Sequence, residues 1–211
     1  MRGSLIARVV CISLLIEMAP PVSATQQMVA GYYADWTVSS YPPSAIKMQN
    51  LTHIIHAFVW PDANGALWCR QGFFAIVPDL TQRAHSAGKK VILSVGGYSD
   101  SAGFSPMAAN PAARAAFATH LADLCLSYRY DGVDLDWEFP ENAIDKQNLT
   151  LLVREMRAHF DRVAPGLTIS MTVAGSFWWG QYYDVEALHP VLAWIGVMTY
   201  DYYGSWYGIT G

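Results

Sequence analysis

Three carboxylates recur at every second position in the run Asp131-Gly132-Val133-Asp134-Leu135-Asp136-Trp137-Glu138-Phe139-Pro140, with bulky apolar residues between them. A strand sends residues i, i+2 and i+4 to one face. Asp134, Asp136 and Glu138 therefore share a face, with neighbours about 6–7 Å apart along the chain. Like charges that close do not all stay ionised, so a proton is shared or at least one pKa rises. That is how a carboxylic acid is kept protonated near neutral pH for general-acid work. An amphipathic strand with a solvated acidic face fits the same alternation. Against it stand the depletion of Asp in strands and the flanks, Asp131-Gly132 before and Pro140 after, which confine the segment to one short strand ending at a loop.

Apolar, strand-like runs fall at 28–36, 51–60, 90–97, 130–139, 167–174 and 194–200. Helices are predicted over 111–128, where Pro111 follows Asn110 in an N1-like position, and over 145–163, stopped by Pro165-Gly166. Shorter helices are expected near 78–87 and 185–192, and Asn64-Gly65 marks a tight turn after the second strand. This alternation predicts parallel strands with crossover helices, in either an open doubly wound sheet or a closed (β/α)8 barrel. No Gly-x-Gly-x-x-Gly follows the first strand, so a dinucleotide site is unsupported. Polar and aromatic residues gather at the C-terminal ends of most strands (Asp35-Trp36, Ser99-Asp100, Glu138, Tyr200-Asp201), which favours the barrel.

The chain's 211 residues suffice for one domain with a substantial core. Hydrophobic content of 53% against 14% charged residues marks it as globular rather than disordered. A net charge of −4 without a basic run argues against a nucleic-acid partner. The abundant Trp, Tyr and Phe suit stacking on sugar rings and a Trp-rich core equally. Arg2, Arg8, the apolar stretch 9–16 and Val22-Ser23-Ala24 resemble a secretory signal over residues 1–24, too short to span a bilayer. A secreted chain beginning at Thr25, with no membrane partner after signal removal, is expected. Cys11 would leave with the signal; Cys69 and Cys125 remain, either paired or as free thiols. His53 and His56 face opposite sides of a strand, and no metal-ligand spacing is present, so no metal or other cofactor is implied.

The run Asp131 to Glu138 resembles the Asp-x-x-Asp-x-Asp-x-Glu signature of family 18 glycoside hydrolases, the chitinase family. Ser94-Val95-Gly96-Gly97 is similar to the family's third-strand Ser-x-Gly-Gly, Met198-Thr199-Tyr200-Asp201 to its sixth-strand Met-x-Tyr-Asp, and Gly31-Tyr32-Tyr33 to its first strand. The resemblance implies a (β/α)8 barrel that hydrolyses β-1,4-linked N-acetylglucosamine polymers. It also implies a retaining, substrate-assisted route, in which the substrate's own N-acetyl oxygen attacks the anomeric carbon. Glu138 is then implied as general acid and later base. Asp136 would bond the acetamido N–H and stabilise an oxazolinium, Asp134 would be its deeper proton partner, and Tyr200 would donate to the acetamido carbonyl. Asp201 would orient the sugar, and Met198, Tyr32, Tyr98 and Phe58 would line the pocket. The implied partner is chitin or an N-acetylglucosamine oligosaccharide.

Read as chemistry alone, Ser94 is placed to hydrogen-bond a neighbouring carboxylate, and Gly96 and Gly97 leave room where a Cβ would crowd the barrel. Asp131 reads as a structural capping acid. Met198 suits core packing or sugar contact, and Trp178 and Trp179 suit a sugar platform or a cap on the barrel. Two positions depart from the family's usual pattern: Tyr98 stands where Trp is common, and Phe139 where Tyr is common. The sequence ends at Gly211, just past the sixth strand, so about six of the family's eight βα units are expected, with two open edges, little activity and poor stability. Other readings remain. A lectin-like chitin binder of the same fold typically loses the catalytic Glu, which is present here as Glu138. The chain can also be an inactive fragment, or an endo-β-N-acetylglucosaminidase acting on glycoproteins, from which Trp137 leans away.

Overall fold

A computed structural model describes residues 27–206 and 208. The signal segment 1–24 with Cys11, and Gly211, lie outside the described residues. Strand β1 (Ala30–Ala34) leads through short 3-10 turns to β2 (His53–Pro61), and a hairpin returns as β3 (Leu67–Cys69). Then come α1 (Val77–Ser86), β4 (Lys90–Gly96), α2 (Phe104–Ala109), α3 (Pro111–Tyr128), β5 (Gly132–Asp136) and α4 (Ala143–Val163). Strand β6 (Thr168–Ala174), the single-turn helices α5 (Phe177–Gly180) and α6 (Val185–Leu188), and β7 (Trp194–Met198) follow.

The strands lie in the order β1-β2-β4-β5-β6-β7, all parallel, with β3 antiparallel on β2. The sheet is curled rather than flat. In a flat sheet β1 and β5 would stand three strand spacings apart, about 14 Å. Yet the Tyr32 hydroxyl on β1 reaches Asp134 on β5 at 2.8 Å. Near the other end of the strands the rings of His53 on β2 and Trp194 on β7 meet at 5.0 Å. This is the barrel alternative, not the open sheet: an incomplete (β/α)8 barrel among the described residues, with β1 and β7 at its edges.

The period of two sorts the side chains. On β4, β5 and β6 the residues Val91, Leu93, Val95, Val133, Leu135, Ile169, Met171 and Val173 point outward into a core completed by Phe117, Leu121, Leu152, Met156 and Phe160 from α3 and α4. Burial of each large apolar side chain there stabilises the fold by about 1.5–3 kcal/mol. The alternate positions face the interior of the curl, and on β5 and β6 these are acids and hydroxyls. His56 points outward, buried against Phe73 at 4.1 Å and bonded through Nδ1 to the Tyr130 hydroxyl. It therefore lies on the side opposite His53.

Helix ends follow local chemistry. Asn110 caps α3 by accepting from Ala112 N, with Pro111 in the first turn, as the sequence predicts. Helix α4 starts at Ala143 rather than at 145, because the Asn142 side chain accepts from the amides of Ile144 and Asp145. Asp131 is structural: its carboxylate accepts from Val91 N and His85 Nε2 and faces Lys90. Cys69 and Cys125 are both free thiols, which closes the question of their pairing. No helix among the described residues is long and apolar enough to cross a membrane.

Candidate active site

The ladders bring Ser94, Asp134 and Ser170 side by side on β4, β5 and β6, facing inward. Asp134 is 1% exposed. Its Oδ1 accepts from Ser170 Oγ at 2.6 Å, and its Oδ2 accepts from Tyr32 at 2.8 Å, Ser94 at 3.1 Å and Thr172 at 3.3 Å. Burial raises its pKa, and the four hydroxyl donors pull the other way. Asp136 is 4% exposed. A solvated acidic face is therefore ruled out for these two residues.

Asp136 lacks the support that Asp134 has. Among the described residues nothing hydrogen-bonds its buried Oδ1. Its pKa is pushed up to about 8, by burial first, then by Glu138 and Asp134. Glu138 is half-buried and also raised, by burial and by the negative charge of Asp201. Tyr200 is raised by burial and by Asp136, Glu138 and Asp201. Tyr32 is half-exposed overall, but its hydroxyl end is sunk beside Asp134, and that burial holds its proton firmly.

Glu138 opens into a cleft of about 540 Å³ shared with Tyr98, Met198, Tyr200, Asp201 and the aromatic rings of Phe139 and Trp179. Trp179 stacks on Phe139 at 5.0 Å, whereas Trp178 is exposed. Of the residues singled out in the sequence, Tyr98, Glu138, Met198, Tyr200 and Asp201 line this cleft. Asp136 and Asp134 follow Glu138 inward along β5, and Tyr32 closes on Asp134. Phe58 stands apart from the cleft lining, beside Tyr32 at 6.3 Å and Trp36 at 6.2 Å. A separate apolar hollow between β3 and α3, lined by Trp68, Phe74, Leu124 and Tyr128, holds none of the three acids. Among the described residues no group of three or more His, Cys, Asp or Glu is arranged to hold a metal ion.

Two glycines set how closely β4 approaches its neighbours, Gly96 toward β5 and Gly97 toward β2. Gly96 has φ +116°, and a Cβ there would run into the Asp136 carbonyl. Gly97 has φ +89°, and a Cβ would press on the Phe58 ring. The peptides Ala57–Phe58 and Glu138–Phe139 are cis. Several site residues were not foreseen from the sequence. Ser170 and Thr172 had a visible signal, since hydroxyls alternate with Ile169, Met171 and Val173 along β6. Ser101 and Tyr183, which bond the backbone around Glu138, had none.

The sequence profile of Glycosyl hydrolases family 18 matches residues 28–211. The chain belongs to this family. Among family members, the Class V chitinase of Arabidopsis thaliana is 30% identical over 223 residues, covering 98% of this chain and 57% of that protein. A mutant of Ostrinia furnacalis Group II chitinase catalytic domain 2, in complex with (NAG)5, superposes with a TM-score of 0.79 at 34% identity, covering 85% of this chain and 52% of that one. The chitinase-like agglutinin of Robinia pseudoacacia superposes with a TM-score of 0.75 at 34% identity, covering 83% and 56%. The chain thus spans about half the length of these relatives.

Proposed function

We propose that the site hydrolyses β-1,4-linked N-acetylglucosamine polymers, chitin and its oligosaccharides, with retention and through an oxazolinium. The observation that carries this is Asp136. It is a buried carboxyl between two other acids, its pKa pushed up to about 8, and among the described residues nothing hydrogen-bonds its Oδ1. Such an oxygen suits the acetamido N–H of a bound sugar, and substrate-assisted catalysis needs that group oriented. A relative bound to (NAG)5 supports the same substrate class.

In the first step Glu138 gives its proton to the glycosidic oxygen. The bond from the anomeric carbon to that oxygen breaks, and the acetamido carbonyl oxygen bonds to the anomeric carbon. Asp136 accepts from the acetamido N–H and, as its proton passes toward Asp134, balances the positive charge. Tyr200 donates to the acetamido oxygen, Asp201 orients the sugar and adds to the burial that raises the Glu138 pKa, and Met198 and Tyr98 shape the walls, with Tyr32 behind them backed by Phe58. In the second step the Glu138 carboxylate takes a proton from water. The water oxygen bonds to the anomeric carbon as the oxazolinium ring opens. Two displacements give retention. From the basic and apolar pattern of residues 1–24 we infer secretion.

The Robinia pseudoacacia relative, an agglutinin, favours a second reading in which the cleft binds sugar without cleaving it. Proton NMR of a chito-oligosaccharide digest separates the two. The β anomer appearing first is the expected result. Binding with no cleavage at high enzyme concentration would favour the lectin, and the α anomer first would rule out the oxazolinium route.

A further inference from the structure

Glu138 stands two residues past the end of β5, where the sheet no longer holds the backbone. The last pairing toward β4 is Gly96 with Asp136, and toward β6 it is Leu135 with Met171. Yet both polar ends of the peptide unit joining Trp137 to Glu138 are bonded, each to a side-chain hydroxyl from a different loop. The Glu138 N–H donates to Ser101 Oγ at 2.9 Å. The Trp137 carbonyl accepts from the Tyr183 hydroxyl at 3.1 Å. Ser101 in turn donates to the Gly97 carbonyl at 3.0 Å, which ties this peptide to the end of β4. Both side chains are buried, at 7% and 5% exposure. The Trp137 ring is stacked on Phe104 at 5.2 Å with planes 9° apart.

We propose that Ser101 and Tyr183 are positioning residues for Glu138, a two-sided clamp that fixes the plane of the Trp137–Glu138 peptide and so aims the Glu138 carboxyl. This rests on the reading of Glu138 as the acid. The clamp acts through the backbone. A peptide held at its N–H and its C=O cannot rotate, and its plane fixes the N–Cα bond of Glu138, from which φ sets the Cα–Cβ direction. Removing one hydroxyl leaves a buried polar group without a partner, a state that structures relieve by moving. Rotation of this peptide swings the carboxyl away from the scissile bond, and a displacement of about 1 Å costs on the order of 100-fold in rate.

The test compares Ser101→Ala, Ser101→Thr and Tyr183→Phe with the unaltered chain, on a chromogenic β-linked N-acetylglucosamine oligomer. The Ala and Phe variants are expected to lower kcat by about 10- to 100-fold, with KM within about twofold. The basic limb of their pH profile should move to lower pH as the Glu138 carboxyl gains solvent, and Thr should restore most of kcat. Unchanged kcat, or a loss shared equally by the Thr variant with a fall in urea midpoint, would overturn the clamp in favour of plain packing. If the unaltered chain does not cleave the oligomer, the reading of Glu138 has failed, and NMR decides the clamp separately. Slow amide exchange at Glu138 that is lost in Ser101→Ala, with a lowered carboxyl pKa, supports it. Identical exchange and titration in both proteins overturn it.

Discussion

The hydroxyl of Tyr32 on β1 donates to Oδ2 of Asp134 on β5 at 2.8 Å, joining residues 102 positions apart across the interior of the curled sheet. The same hydroxyl meets Thr172 Oγ1 at 2.7 Å, so one side chain ties β1 to both β5 and β6. Removing it with Tyr32→Phe leaves Asp134 one donor short in a buried place. The variant is expected to lose about 1–3 kcal/mol of stability, read as a lower urea midpoint with an unchanged m-value.

Asp136 gives the fold a distinctive pH dependence. Its carboxyl titrates near 3.9 in the unfolded chain and at about 8 in the folded one. A raised folded pKa means that its contribution is full below about pH 4 and is lost as pH rises through 8. Asp134 and Glu138 are raised too and act in the same direction. Urea midpoints should therefore fall between pH 5 and 9. Asp136→Asn, which has no proton to lose, should fall less, while losing most of its turnover. A flat profile in the unaltered chain, or an unchanged rate in the variant, would contradict the assigned environment and role.

Local signals are legible in this sequence, and long-range ones are not. The alternation of Asp134, Asp136 and Glu138 needs only the period of a strand, and helix α3 is written in Asn110-Pro111. Strand β3 is not legible because three residues carry no period, although Asn64-Gly65 marks the turn before it. Helix α2 is short, and its Phe104, Met107 and Ala108 are apolar residues whose burial is decided by Trp137 and Phe117 across the fold. Strand β5 ends at Asp136, not at 139, because beyond it the backbone bonds pass from the sheet to Ser101 and Tyr183. No sequence pattern links those loops to Glu138.

Burial is the first cause of the raised Glu138 pKa, and a neighbouring charge adds to it. Asp201, just past β7 at φ +57°, raises the Glu138 pKa through its negative charge. Asp201→Asn removes that charge, so Glu138 should lose its proton at lower pH. The basic limb of the pH–rate profile should then move in the acid direction, measured with the same chromogenic oligomer across pH 4 to 9. A limb that stays in place would mean that Asp201 does not act on Glu138 by charge.

Gly96 tests the close approach of β4 to β5. With φ +116° and the Asp136 carbonyl where a Cβ would be, Gly96→Ala must distort the backbone under Asp136. A loss of about 1–3 kcal/mol from conformational strain is expected, together with weaker oligomer binding. Circular dichroism melting and fluorescence titration read the two effects.

The proposed role of Glu138 as acid and base leaves sugar binding to the rest of the cleft. Glu138→Gln keeps the shape and removes the ionisable proton. The most direct measurement pairs chromophore release from a β-linked N-acetylglucosamine oligomer with oligomer binding by tryptophan fluorescence, in the unaltered chain and in this variant. Hydrolysis should fall by about 100- to 10,000-fold, with binding within about twofold of the original. Hydrolysis that survives the substitution, or binding lost along with it, would contradict the account.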